Sequence, residues 1–89
     1  MENEFNIGDI VVSLSGHDKN RPFIVVSIDK SGYLAIIDGR YRGKIKPKLK
    51  NPKHLTKVGH DDYIMQKINS PVSTDTEIYK MIKVYKVKE

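Results

Sequence analysis

Eighty-nine residues, with 16 Lys/Arg against 11 Asp/Glu and a formal charge of +5, suffice for one small domain with a modest core. The chain has no cysteine, which excludes disulfide staples, thiolate metal sites and cysteine nucleophiles. The acidic start, Met1-Glu2-Asn3-Glu4, does not read as a secretion signal, and no apolar run approaches the roughly 20 residues of a membrane span; a cytoplasmic protein with no membrane contact is expected.

In chain order, Asn3 to Ile7 reads as a lead-in, with Phe5 and Ile7 available to pin it to a core. Gly8-Asp9 turns into a first strand, Ile10–Leu14, in which Ile10, Val12 and Leu14 share one face. Residues 15–22 form a polar loop, with Gly16 and Asn20 the positions expected at positive φ. Phe23–Asp29 and Tyr33–Ile37 are the next strands, joined by a Lys30-Ser31-Gly32 turn. Tyr33 is expected in the core. The basic segment 40–50 follows as an irregular fourth strand, and Lys53–Val58 as a short fifth. Strands this closely spaced predict an antiparallel meander curled into a small barrel. Both faces of the second strand are apolar, Ile24, Val26 and Ile28 on one side and Phe23 and Val25 on the other, so one face needs a cover.

The C-terminal third supplies that cover. A short helix is expected over Asp61–Ile68, with Tyr63, Ile64 and Ile68 as its apolar side. Ser70-Pro71 breaks the chain. Thr74 and Glu77 then have capping-box spacing, and Ile78, Met81, Ile82 and Tyr85 recur as the stripe of an amphipathic helix, with Lys80, Lys83 and Lys86 largely on other faces. The expected division is a barrel over about 8–58 and a helical extension over about 61–87, within one domain.

The charge is unevenly placed. Residues 1–39 carry three Lys/Arg and six Asp/Glu, residues 40–58 carry eight and none, and residues 59–89 carry five of each. Arg40, Arg42, Lys44, Lys46, Lys48 and Lys50 alternate with other residues, so an extended backbone would put all six on one side as a ridge tracking a phosphate backbone. Lys53 and His54 continue the basic stretch, with His54 a candidate for a phosphate or base. Lys19 and Arg21 either extend the ridge or are ordinary loop charges. Tyr41 is either a stacking platform for a base or a rim tyrosine. Gly-His-Asp occurs twice, at 16–18 and 59–61, a weak signal for acid–base or metal chemistry, because no third ligand has fixed spacing; His60, Asp61 and Asp62 read better as a helix start. No phosphate loop, nucleophile elbow or metal motif is present, and no enzyme activity, cofactor, metal or small-molecule substrate is expected.

The stretch Gly8-Asp9-Ile10-Val11-Val12-Ser13-Leu14-Ser15-Gly16-His17-Asp18-Lys19-Asn20-Arg21-Pro22-Phe23-Ile24-Val25-Val26 resembles a KOW motif, the strand–loop–strand of several ribosomal proteins and transcription-elongation factors. With Ile36-Ile37-Asp38-Gly39, the run from Lys46-Pro47-Lys48 to His54-Leu55, and the Thr74–Tyr85 helix, the chain resembles bacterial KOW-domain RNA-binding proteins related to the fourteen-e class of large-subunit ribosomal proteins. Asn20 departs from the pattern, standing where such motifs carry glycine. The resemblance implies an SH3-like barrel that binds ribosomal RNA on the ribosome, as part of the translation apparatus. The rival expectation is a protein-interaction module docking on a ribosomal protein or on RNA polymerase.

Overall fold

Ile and Val fill the three early segments that alternate as strands, and the backbone is extended at each. The computed structural model describes residues 5–85. Its elements are β1 (Asp9–Ser13), β2 (Pro22–Ile28), β3 (Leu34–Ile37), β4 (Lys48–Lys50), a 3-10 turn at Pro52–His54, β5 (Leu55–His60), α1 (Asp62–Ile68), α2 (Asp75–Ile82) and a closing 3-10 turn at Lys83–Tyr85. Asn3 of the lead-in, and Lys86 with the last residues of the expected helical extension, lie outside the described residues.

The strands make one antiparallel sheet in the order β4-β3-β2-β1-β5. Among the described residues β4 and β5 do not pair, so the expected barrel is an open sheet. Two register shifts, between Ile10 and Val11 against β5 and between Val25 and Ser27 against β3, mark bulges, which increase local twist. Every residue of β1 is buried, because apolar layers lie on both sides of it. On one side Ile10, Ile24 and Ile37 pack with Ile64, Ile78 and Ile82 of the helices. On the other, Val11, Phe23, Val25, Leu34, Ile36 and Leu55 pack together, joined by Phe5. Four strands contribute to this second cluster, and the bulged sheet bends around it.

The helices are the cover that the two-faced strands require. Thr74 Oγ1 accepts from the Glu77 N–H at 3.2 Å, and Glu77 Oε1 accepts from the Thr74 N–H at 3.2 Å, closing the capping box. Asp61 caps α1 by accepting from the Ile64 N–H at 3.0 Å. Ile78 and Ile82 are buried, and Met81, Tyr85 and Ile68 pack beside them.

Three expectations are corrected. The basic segment is not a strand along its length: only Lys48–Lys50 pair with β3, and residues 39–47 bend. Tyr33 is 41 % exposed and Tyr63 is 59 % exposed, so neither is core; the inner side of α1 is the buried Ile64 with the partly buried Met65 and Ile68. Ile7 and Ile28 are also solvent-facing, leaving Phe5 as the anchor of the lead-in.

Candidate nucleic-acid interface

The bend after β3 is built by one carboxylate. Asp38 is buried, and its Oδ1 accepts the backbone N–H groups of Arg40, Tyr41 and Arg42, each at 2.9 Å. An aspartate that gathers several N–H groups this way replaces the strand ladder with a turn. The carbonyl of Arg42 also accepts from the N–H of Asp38 at 2.9 Å and of Gly39 at 3.0 Å. Gly39, at φ +80°, lies against α2: a Cβ there would stand 2.4 Å from the Asp75 carbonyl oxygen. Only glycine allows that approach.

The segment next clasps the helices. Lys44 donates its backbone N–H to Asp75 Oδ1 at 3.0 Å. Its Nζ donates to the Ser70 carbonyl at 3.2 Å and to the Ser73 carbonyl and hydroxyl at 3.1 and 3.3 Å. Lys44 therefore satisfies the carbonyls of the α1–α2 connection and does not face solvent beside its neighbours. The straight ridge fails here: the alternation is real in the sequence, but Asp38 and Lys44 fold the chain between its first and last cations.

What replaces the ridge is a convergence of three loops at the Ser13 end of β1. The loop 15–21 is the hub. Asp18 pairs with Lys48 of β4 and with Arg21 at 3.3 Å. Arg21 reaches Asp38 Oδ2 at 3.2 Å, and its guanidinium lies 4.3 Å from the centre of the Tyr41 ring. The Leu14 N–H donates to the His54 carbonyl at 2.9 Å, which fastens the 3-10 turn to the same hub. Burial would push the Asp18 carboxyl up, but the hydrogen bond and charge of Lys48, with Arg21 and Lys50 nearby, outweigh it and hold Asp18 below its ordinary value. Gly16 at φ +80° and Asn20 at φ +69° shape the hub as anticipated.

Of the expected site residues, Lys19, Arg21, Arg40, Tyr41, Arg42, Lys48, Lys50, Lys53 and His54 belong to these three loops. Lys44 leaves for the helices, and Lys46 is exposed beyond the turn. Lys48 and Arg21 are tied to carboxylates. Among the described residues, Lys19, Arg42, Lys50 and Lys53 make no ion pair. Segments 15–21, 38–42 and 48–54 hold seven Lys/Arg against Asp18 and Asp38, while the rest of the chain has nine of each sign. The whole excess of positive charge thus belongs to these three segments.

Beside this surface runs a groove of about 350 Å³ between the 38–42 turn and α2. Tyr41, 62 % exposed, faces Tyr79 across it, and the Arg40 guanidinium lies 5.0 Å from the Tyr41 ring centre and 5.6 Å from that of Tyr79. Tyr79 and its neighbour Lys83, 5.8 Å from the ring centre, were not anticipated, because only the packing of α2 beside the 38–42 turn brings them to the groove.

The second Gly-His-Asp does not make a metal site among the described residues. His60 Nδ1 hydrogen-bonds Asp9 Oδ1 at 2.8 Å, and Nε2 hydrogen-bonds Asp62 Oδ1 at 2.7 Å. The bond to Asp9, then that to Asp62, raises the His60 pKa against a smaller effect of burial. No helix among the described residues is long and apolar enough to cross a membrane. No protein-family model matches the chain, and no curated protein matches it.

Proposed function

We propose that this chain is a non-catalytic RNA-binding module of the translation apparatus, working in the cytoplasm and held on ribosomal RNA by the surplus cations of the three converging loops. The observation that carries the reading is the placement of charge: seven Lys/Arg against two carboxylates in three segments joined through Asp18, Arg21 and the Leu14–His54 bond, with the remainder of the chain neutral. Such a patch neutralises phosphates and releases counterions, and Lys-rich contacts of this kind read shape and charge rather than base sequence. Asn20 supports the KOW resemblance, since it takes the left-handed backbone that the motif's glycine would take. The strand order, with a 3-10 turn between β4 and β5 and an apolar cluster enclosed by four strands, supports an SH3-like sheet whose last seam is open.

Replacing Lys19, Lys50 and Lys53 together by Glu tests the reading, because none of the three makes an ion pair within the described residues. The triple variant should keep the wild-type circular dichroism spectrum and lose roughly 100-fold or more in RNA affinity by filter binding. Wild-type affinity in that variant would overturn the reading. Ile45, 97 % exposed in the same basic segment, favours a second reading, docking on a ribosomal protein or RNA polymerase. That reading requires capture of a protein that survives nuclease and high salt.

A further inference from the structure

The groove between the 38–42 turn and α2 differs from the open cationic surface beside it. Its walls bring together Arg21, Arg40, Tyr41, Tyr79 and Lys83 over Ile82. Asp38, the carboxylate in its lining, is fully engaged with three backbone N–H groups and Arg21, so the wall offers aromatic faces and positive charge. Its volume is at the low end of about 300–1,000 Å³ for ligand sites, suited to one planar group and far too small for a helix of RNA.

The two arginines are held differently. Arg21 is fixed by Asp18 and Asp38 at 3.3 and 3.2 Å while it covers Tyr41. The Arg40 guanidinium makes no ion pair within the described residues, although the Asp38 charge acts on it from nearby. It makes one long hydrogen bond, 3.4 Å, to the Tyr79 hydroxyl and lies within cation–π reach of both rings. A planar guanidinium set by two aromatic rings and one long hydrogen bond lies where a nucleobase could stack, since bases stack on aromatic side chains and on arginine planes alike.

We propose, resting on the RNA-binding reading, that this groove is a slot for a single unpaired nucleobase. The base stacks against Tyr41 and Tyr79 in place of the Arg40 guanidinium, and Arg40, so released, joins Lys83 on the flanking phosphates. Fully paired RNA cannot use the slot, because its bases are stacked within the helix; a bulge, loop or single strand can.

The test compares wild type, Tyr41→Phe, Tyr41→Leu and Tyr79→Leu on two RNAs: a perfect duplex and the same duplex carrying one bulged nucleotide. Wild type is expected to prefer the bulged RNA by about tenfold, the scale of one base–aromatic stack. Tyr41→Phe should keep that preference, and both leucine variants should lose it. Tyr41 is 62 % exposed, so its leucine variant is expected to fold. Equal binding of the two RNAs by wild type, or a preference that persists in both leucine variants, overturns the slot while leaving the cationic surface standing. Absence of binding to either RNA overturns the RNA-binding reading and the slot with it.

Discussion

The two ends of β1 handle charge in opposite ways. At the Asp9 end, Asp9, Asp61 and Asp62 are each engaged by a donor. Asp9, 0 % exposed, accepts from the Asn6 N–H at 2.7 Å and meets His60 at 2.8 Å and Lys57 at 3.4 Å. Burial pushes its carboxyl up, and those three partners outweigh it and hold it below the ordinary value. Asp61 caps α1 and accepts from the Tyr85 hydroxyl at 2.6 Å; that bond, with burial, raises the Tyr85 pKa. At the Ser13 end, two acids also act as clamps, but the three loops hold seven cations, and most of these make no ion pair among the described residues. Carboxylates build the fold at both ends. The difference lies in what is left over: at the Ser13 end a surplus of one sign stands on a backbone that is already fixed, as the proposed RNA surface requires.

The contrast is broken most severely at Asp38. Asp38→Ala strands three backbone N–H groups and removes one of the two carboxylates that hold Arg21, and should destabilise the protein by about 3 kcal/mol in urea unfolding. Asp62→Ala, at an exposed carboxylate of the opposite end, should stay within about 0.5 kcal/mol. A smaller effect separates two neighbours in the basic run. Lys44→Met removes the ammonium that donates to the Ser70 and Ser73 carbonyls and should lose about 1–2 kcal/mol, while Lys46→Met should be within about 0.5 kcal/mol and weaken RNA binding only slightly. Equal losses at the two lysines would contradict the assignment of Lys44 to the scaffold.

The smallest expected effect is at His60. Its folded pKa is raised above the ordinary 6.5, so its contribution to stability is complete below about pH 6.5 and fades as pH rises through the folded value. The urea midpoint should therefore decline slightly from pH 6 to pH 8 in wild type, and less in His60→Gln. An identical decline in the variant would mean that the histidine does not carry it.

The sequence made the scaffold legible where the local signal and the tertiary need agreed. The Ile/Val alternation located β1 to β3, the apolar residues on both faces of β2 demanded a cover, and Thr74–Glu77 with the Ile78–Tyr85 stripe supplied it. Gly16 and Asn20 were readable as left-handed positions because their residue types tolerate them. The basic segment was misread for the same reason that made it conspicuous: period-two alternation of charge carries no information about backbone pairing. The correct signals were Gly39 and Gly43, which mark close approach to α2, and Asp38, whose side chain competes with the strand ladder. A Cβ at Gly43 would stand 2.1 Å from Asp75 Oδ2, a contact set by a residue thirty-two positions away and invisible to any local window. Tyr79 and Lys83 belong to the site only because α2 packs beside that turn.

The salt dependence of RNA affinity tests the central claim most directly. With about five phosphates engaged on single-stranded RNA, log K against log salt should slope near −3.5, and replacing Lys19, Lys50 and Lys53 by Gln should bring the slope to about −1.4, near 0.7 per lysine. An unchanged slope in the triple variant would contradict the claim that the three-loop surplus is what holds the polyanion.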